Sequence, residues 1–123
     1  MRRARSNLAR ARSDRGLPEV LFEDLCFDAQ QAGEKAIKAV LLHVGVRFQR
    51  THAIVELLTL AHAHGIDVPD DVRQAGILTA YAVETRYPGV SEDVTEEDYE
   101  RALMLAERVV AWASRITDRP RRR

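Results

Sequence analysis

Residues 24–39 read Asp24-Leu25-Cys26-Phe27-Asp28-Ala29-Gln30-Gln31-Ala32-Gly33-Glu34-Lys35-Ala36-Ile37-Lys38-Ala39. Leu25, Cys26, Ala29, Ala36 and Ile37 recur at steps of three and four, the spacing at which side chains share one side of an α-helix. Phe22 before the run and Val40, Leu41 and Val44 after it continue the stripe. The periodicity therefore predicts a central helix from Leu21 to Val44, closed by Gly45. The other side carries Asp24, Asp28, Gln31, Glu34, Lys35 and Lys38, with Glu34 and Lys38 at the i,i+4 spacing that stabilises a helix.

Outward from this helix the same reading yields its neighbours. Upstream, residues 1–15 hold good helix formers but almost no apolar stripe beyond Leu8, Ala9 and Ala11, before Gly16 and Pro18 intervene. Only a short helix, marginal in isolation, is expected there. Downstream, Thr51 is placed to cap a third helix that buries Ile54, Val55, Leu58 and Ala61 and stops at His64-Gly65. Pro69-Asp70-Asp71 open a fourth, with Val72, Ile77, Leu78 and Tyr81 inward. Pro88-Gly89 force a turn, and Thr95 with Asp98 forms a capping box ahead of a last helix. That helix repeats Tyr99, Ala102, Leu103, Ala106, Val109, Val110, Ala113 and Ile116 on one side. The expected fold is all-α: an antiparallel four- to five-helix up-and-down bundle over residues 20–117, between an Arg-rich segment (1–19) and a basic tail (118–123).

Composition sets the outer limits. A 123-residue chain with 46% apolar and 31% charged residues can build one core and is too hydrophobic to stay disordered. No apolar run reaches the roughly 20 residues needed to span a bilayer, so no membrane association is expected and the cytoplasm is the expected compartment. Cys26 cannot pair internally and falls in the apolar stripe, as a small core residue does. His43, His52, His62 and His64 lack the i,i+4 pairing of a helical metal site, and no glycine-rich phosphate loop is present. Neither metal nor cofactor is expected. The net charge of zero conceals basic ends around an acidic body. Such ends suit contact with nucleic-acid phosphates, and equally suit solvent or the acidic body itself.

The run Gln30-Gln31-Ala32-Gly33-Glu34-Lys35-Ala36-Ile37-Lys38-Ala39 resembles the signature helix of HEPN domains, with Gly33 where the family usually has Ala. Thr51-His52 followed by Ile54 and Leu57-Leu58 resembles the start of the family's next helix. Tyr81 with Glu84-Thr85-Arg86-Tyr87-Pro88 resembles its Tyr-x4-Arg-Tyr-Pro segment. The resemblance covers residues 20 to 117. It implies a bundle that dimerises, with members that act as ribonucleases, as toxins neutralised by a minimal nucleotidyltransferase, or as non-catalytic nucleotide-binding partners. It also implies a polar cluster in which Gln31, Glu34 and Lys35 meet Arg86 and Tyr87 along a groove.

Catalytic members resemble one another in an Arg-x(4 to 6)-His motif, and Arg47 and His52 meet that spacing. A His can move the proton of a ribose hydroxyl while an Arg stabilises charge developing on the phosphate, without metal. Phe48 departs from the small polar residue that usually follows the Arg, and Ile54 stands where some members carry a Tyr. The plainer reading makes His52 a helix-start residue and Arg47 a solvated loop residue. Tyr87 and Trp112 are the aromatic candidates for stacking a base, or else ordinary core residues. Two functions follow as expectations: a module that dimerises and associates with a nucleotidyltransferase or with nucleotides, as in a toxin-antitoxin system, or a metal-independent ribonuclease acting on RNA through Arg47 and His52. Leu105 and Trp112 lie beside the last helix's main stripe, so apolar surface is expected to remain for a homodimer interface.

Overall fold

A computed structural model of the chain describes residues 1–13, 19–51, 53–82 and 94–119. Five helices follow in order: α1 (Arg2–Ser13), α2 (Phe22–His43), α3 (Ile54–Ala63), α4 (Asp70–Arg73, continued by a 3-10 turn over Gln74–Tyr81) and α5 (Glu96–Thr117). No strand occurs among the described residues. Helix α2 is the axis, packed by α1, α5, α3 and the 3-10 segment. Its small residues Ala29, Ala32, Gly33 and Ala36 are wholly buried and let neighbouring backbones come close. The start of α2 lies beside the start of α5, where Phe22 and Tyr99 stack with centroids 5.6 Å apart. Helix α1 runs against both, since its end meets Tyr99 and its middle meets Asp28. The alternation α1, α2, α4, α5 is an up-and-down bundle, and α1, which the expected bundle over residues 20–117 left outside, is one of its helices.

Helix α3 departs from simple alternation. Residues 44–51 turn at Gly45, whose φ of 77° is the left-handed region favoured by glycine, and return along α2. Lys38 lies over the Phe48 ring, 5.9 Å from its centroid, and Ile54 comes up beside Gly33. Helix α3 thus runs alongside α2 in the same direction.

Several sequence expectations need correction. Thr51 does not cap α3 directly: the cap is Ala53, and Thr51 Oγ1 accepts from Ala53 N at 3.0 Å while donating to Glu56. The start of α3 is instead served from across the bundle, where Ile54 N donates to Thr79 Oγ1 at 3.1 Å. Val55 and Ile77, expected inside, are exposed, and Leu57 and Ala75 are buried in their stead. The 3-10 winding after Arg73 shifts which residues face inward, because three residues per turn differs from the α-helical period. Leu105 and Trp112, expected at the surface, are 2% and 3% exposed, because α4 and the loop before it cover that side of α5. Trp112 Nε1 donates to the Asp67 carbonyl at 3.0 Å. Asp28 and Glu34, expected on the outer face of α2, are buried, since α2 is covered on more than one side.

The first helix takes its stability from these contacts. Ala4, Asn7, Leu8 and Ala11 form its buried side, Tyr99 Oη donates to the Ala11 carbonyl at 2.7 Å, and Arg12 pairs with Glu107 at 2.7 Å. The Thr95–Asp98 capping box is formed in both directions, at 3.1 and 3.0 Å. The turn expected at Pro88-Gly89 lies outside the described residues. No helix is long and apolar enough to cross a membrane among the described residues.

Candidate functional site

The polar residues of α2 are organised as two short relays. In the first, Lys35 Nζ donates to Asn7 Oδ1 at 2.8 Å and Asn7 Nδ2 donates to Asp28 Oδ1 at 3.2 Å. Lysine only donates and a carboxylate only accepts, so the Asn7 amide has a single workable orientation. Arg10 adds its guanidinium 3.7 Å from Asp28 Oδ2. In the second, Gln31 Nε2 donates to Gln30 Oε1 at 2.7 Å, and Gln30 Nε2 donates to Glu34 Oε1 at 2.9 Å. Lys38 Nζ closes it onto Glu34 Oε2 at 3.1 Å. Glu34 is only 4% exposed, and its charge is tolerated because both oxygens are engaged by donors, one of them cationic.

Three residues of the expected polar cluster are therefore placed. Gln31 and Lys35 are half-buried at the α1–α2 boundary, and Glu34 is inside. Arg86 and Tyr87, expected to meet them, lie outside the described residues. Arg47 is exposed on the returning segment after α2, and His52 lies outside the described residues. Asn7, Arg10, Asp28 and Gln30 were not foreseen as partners. Asn7 was legible in principle, because it shares the spacing of Ala4, Leu8 and Ala11 on one side of α1. Gln30 stands four residues before Glu34, where helical side chains meet.

Around the first relay a cleft of about 540 Å³ is lined by Asn7, Arg10, Asp24, Asp28, Gln31 and Lys35, with Val20, Leu25 and Phe27 at its apolar edge. Two cations face two carboxylates there, so the cleft is polar without strong net charge. No group of three or more potential metal ligands lies among the described residues.

The geometry can be set against known proteins. The family model described as the HEPN domain matches residues 1–116, which takes in α1 as well as the helices after it. The chain is similar in structure to a Thermus thermophilus protein, with a TM-score of 0.78 and 33% identity over 94% of this chain and 93% of that one. It is also similar to an archaeal HEPN homologue, with a TM-score of 0.74 and 27% identity over 95% of this chain and 93% of the other. Comparison with curated proteins gives no match. A signature helix whose polar residues are built into the bundle, a family match across nearly the whole chain and two structural likenesses agree: the chain belongs to the HEPN domain family.

Proposed function

We propose that this HEPN chain is a non-catalytic binding module: a homodimer that associates with a nucleotidyltransferase partner or with nucleotides, as one half of a toxin-antitoxin pair. The observation that carries this reading is the polar cleft between α1 and α2, whose Lys35, Asn7, Asp28 and Arg10 are held in place by one another. Groups already engaged in a fixed network act as positioned hydrogen-bonding partners rather than as a mobile acid-base pair. The balance of Arg10 and Lys35 against Asp24 and Asp28 suits the hydroxyls and ring nitrogens of a nucleoside better than a bare phosphate. Exposed Val55 and Ile77, on the adjoining α3 and 3-10 segment, supply apolar surface for association with a second subunit or a partner protein.

Copurification from the native host followed by mass spectrometry tests the partner, and calorimetry with nucleosides and nucleotides tests the cleft. A chain that emerges alone and gives no heat with either class would overturn the reading. Lys35→Ala is expected to weaken any nucleoside binding without unfolding the bundle. Light scattering across a dilution series is expected to give twice the 13.9 kDa chain mass, and a mass that stays at one chain would remove the homodimer.

The ribonuclease reading has one observation in its favour. The segment carrying Arg47 is anchored to the signature helix through Phe48 under Lys38, which limits where the guanidinium can go. RNA cleavage in chelator by the wild type, lost in both Arg47→Ala and His52→Ala, would establish catalysis and displace the binding-module reading. No cleavage by the pure protein, or equal cleavage by all three, would exclude it.

A further inference from the structure

A second cavity, of about 590 Å³, opens at the other end of the bundle, where α2, α3 and α5 all finish. His43, His64, Arg115 and Arg119 line it together with Asp67, and its apolar surface comes from Val44, Ile66, Ile116 and Trp112. Its size is that of a small-molecule site, and its lining joins an apolar wall to a few convergent polar groups. It shares no lining residue with the cleft between α1 and α2.

The arginines here differ from those of α1. Arg5 donates to Ser114, Arg10 approaches Asp28 and Arg12 pairs with Glu107, so that set is committed to holding the helices together. Arg115 and Arg119 make no ion pair with any described residue, and both are exposed. One turn apart at the end of α5, both line the cavity, and a guanidinium offers the forked donors that match an oxyanion. His64 is oriented as well: its Nδ1 lies 3.0 Å from the Leu60 carbonyl and must carry the hydrogen, which leaves Nε2 to accept from the P–OH of a singly protonated phosphate.

Three helix C-termini would ordinarily disfavour an anion through their carbonyl dipoles. Two of them are closed. Gly45 and Gly65, at φ 77° and 83°, turn the chain so that Gly45 N and Val46 N donate to Leu42 and Leu41, and Gly65 N and Ile66 N donate to His62 and Ala61. Those end carbonyls are thus occupied by backbone donors, and the two arginines outnumber Asp67, the one carboxylate in the lining.

We propose that this cavity binds an organic phosphate monoester, its phosphate between Arg115, Arg119 and His64 and its apolar body against Ile66, Ile116 and Val44. Trp112, the only tryptophan in the chain, lines the cavity and gives a direct optical reporter. The probe is phenyl phosphate, titrated against tryptophan emission excited at the red edge of the indole band, with inorganic phosphate and phenol as its two halves. Saturable quenching or enhancement is expected with phenyl phosphate. Each half alone should bind at least tenfold more weakly. Arg115→Ala and Arg119→Ala should each weaken phenyl phosphate binding about tenfold, the loss expected for one charge-assisted hydrogen-bonding partner. Arg101→Ala removes the same charge from an exposed part of α5 away from the cavity and should leave binding unchanged. Circular dichroism of each variant verifies that the helices persist. Absence of a saturable signal in the wild type, binding that survives loss of both arginines, or equal weakening by Arg101→Ala would overturn the site. Inorganic phosphate binding as tightly as the ester would overturn the assignment of an apolar body.

Discussion

Gly33→Ala is expected to stabilise the protein, although Gly33 is buried at the most crowded part of α2. A methyl group at this position would stand 3.3 Å from Leu78 Cδ1 and 3.6 Å from Ile54 Cδ1. The second is an ordinary contact, whereas the first requires the end of Leu78 to yield by a few tenths of an ångström. Glycine in a helix interior costs about 1 kcal/mol relative to alanine, and a buried methyl contributes up to about 0.8 kcal/mol. Turning Leu78 part of the way off its rotamer costs about 0.5–1.5 kcal/mol. The balance is a gain of about 0.5–1 kcal/mol, or a melting temperature higher by about 2–4 °C for a domain of this size. Thermal and urea unfolding of the two proteins under identical conditions measure it. A lower melting temperature for Gly33→Ala would refute the reasoning, because it would mean that Leu78, wholly buried, cannot move. A double-mutant cycle with Leu78→Val would then separate contact strain from a backbone cause.

Tyr99→Phe removes the hydroxyl that donates to the Ala11 carbonyl and should cost about 0.5–1.5 kcal/mol in urea unfolding, with hydrogen exchange accelerated first in α1. Asn7→Leu takes a partner from both Lys35 and Asp28 and should cost about 2–3 kcal/mol, more than Arg12→Ala, whose pair with Glu107 is solvent-exposed. Thr95→Ala opens the capping box of α5 and should cost about 1 kcal/mol, with Thr95→Ser recovering most of it.

The helices of this protein were legible because their stripes are long. Helix α5 repeats over 22 residues and starts at a capping box, and α2 repeats over the same length and stops at a glycine. Which side faced inward was less legible wherever the period or the number of neighbours changed. Val55 and Leu57 exchange roles in α3, a helix of 10 residues, where a stripe has too few repeats to be distinguished from its flank. Ile77 faces out because the 3-10 winding breaks the expected register. Leu105 and Trp112 are inside because α5 is covered by more than one helix, which a single amphipathic stripe does not reveal. The same cause hid half of the polar cluster. Gln31, Glu34 and Lys35 stood out through the signature run, whereas Asn7 comes from a helix whose pairing with α2 no local pattern specifies.

Tyr99 reaching Ala11 across 88 positions, Arg12 reaching Glu107 across 95 and Arg5 reaching Ser114 across 109 fix the order in which the protein can be completed. As the chain leaves the ribosome, α1 meets α2 early, whereas the α5 side of its support is made last. A 12-residue helix has little tendency to persist alone in water. Helix α1, made before α5, thus completes its contacts only when Ser114, Glu107 and Tyr99 arrive. Refolding from urea should accordingly show α1 protected late, together with α5, on the slow side expected for contacts between distant parts of a chain.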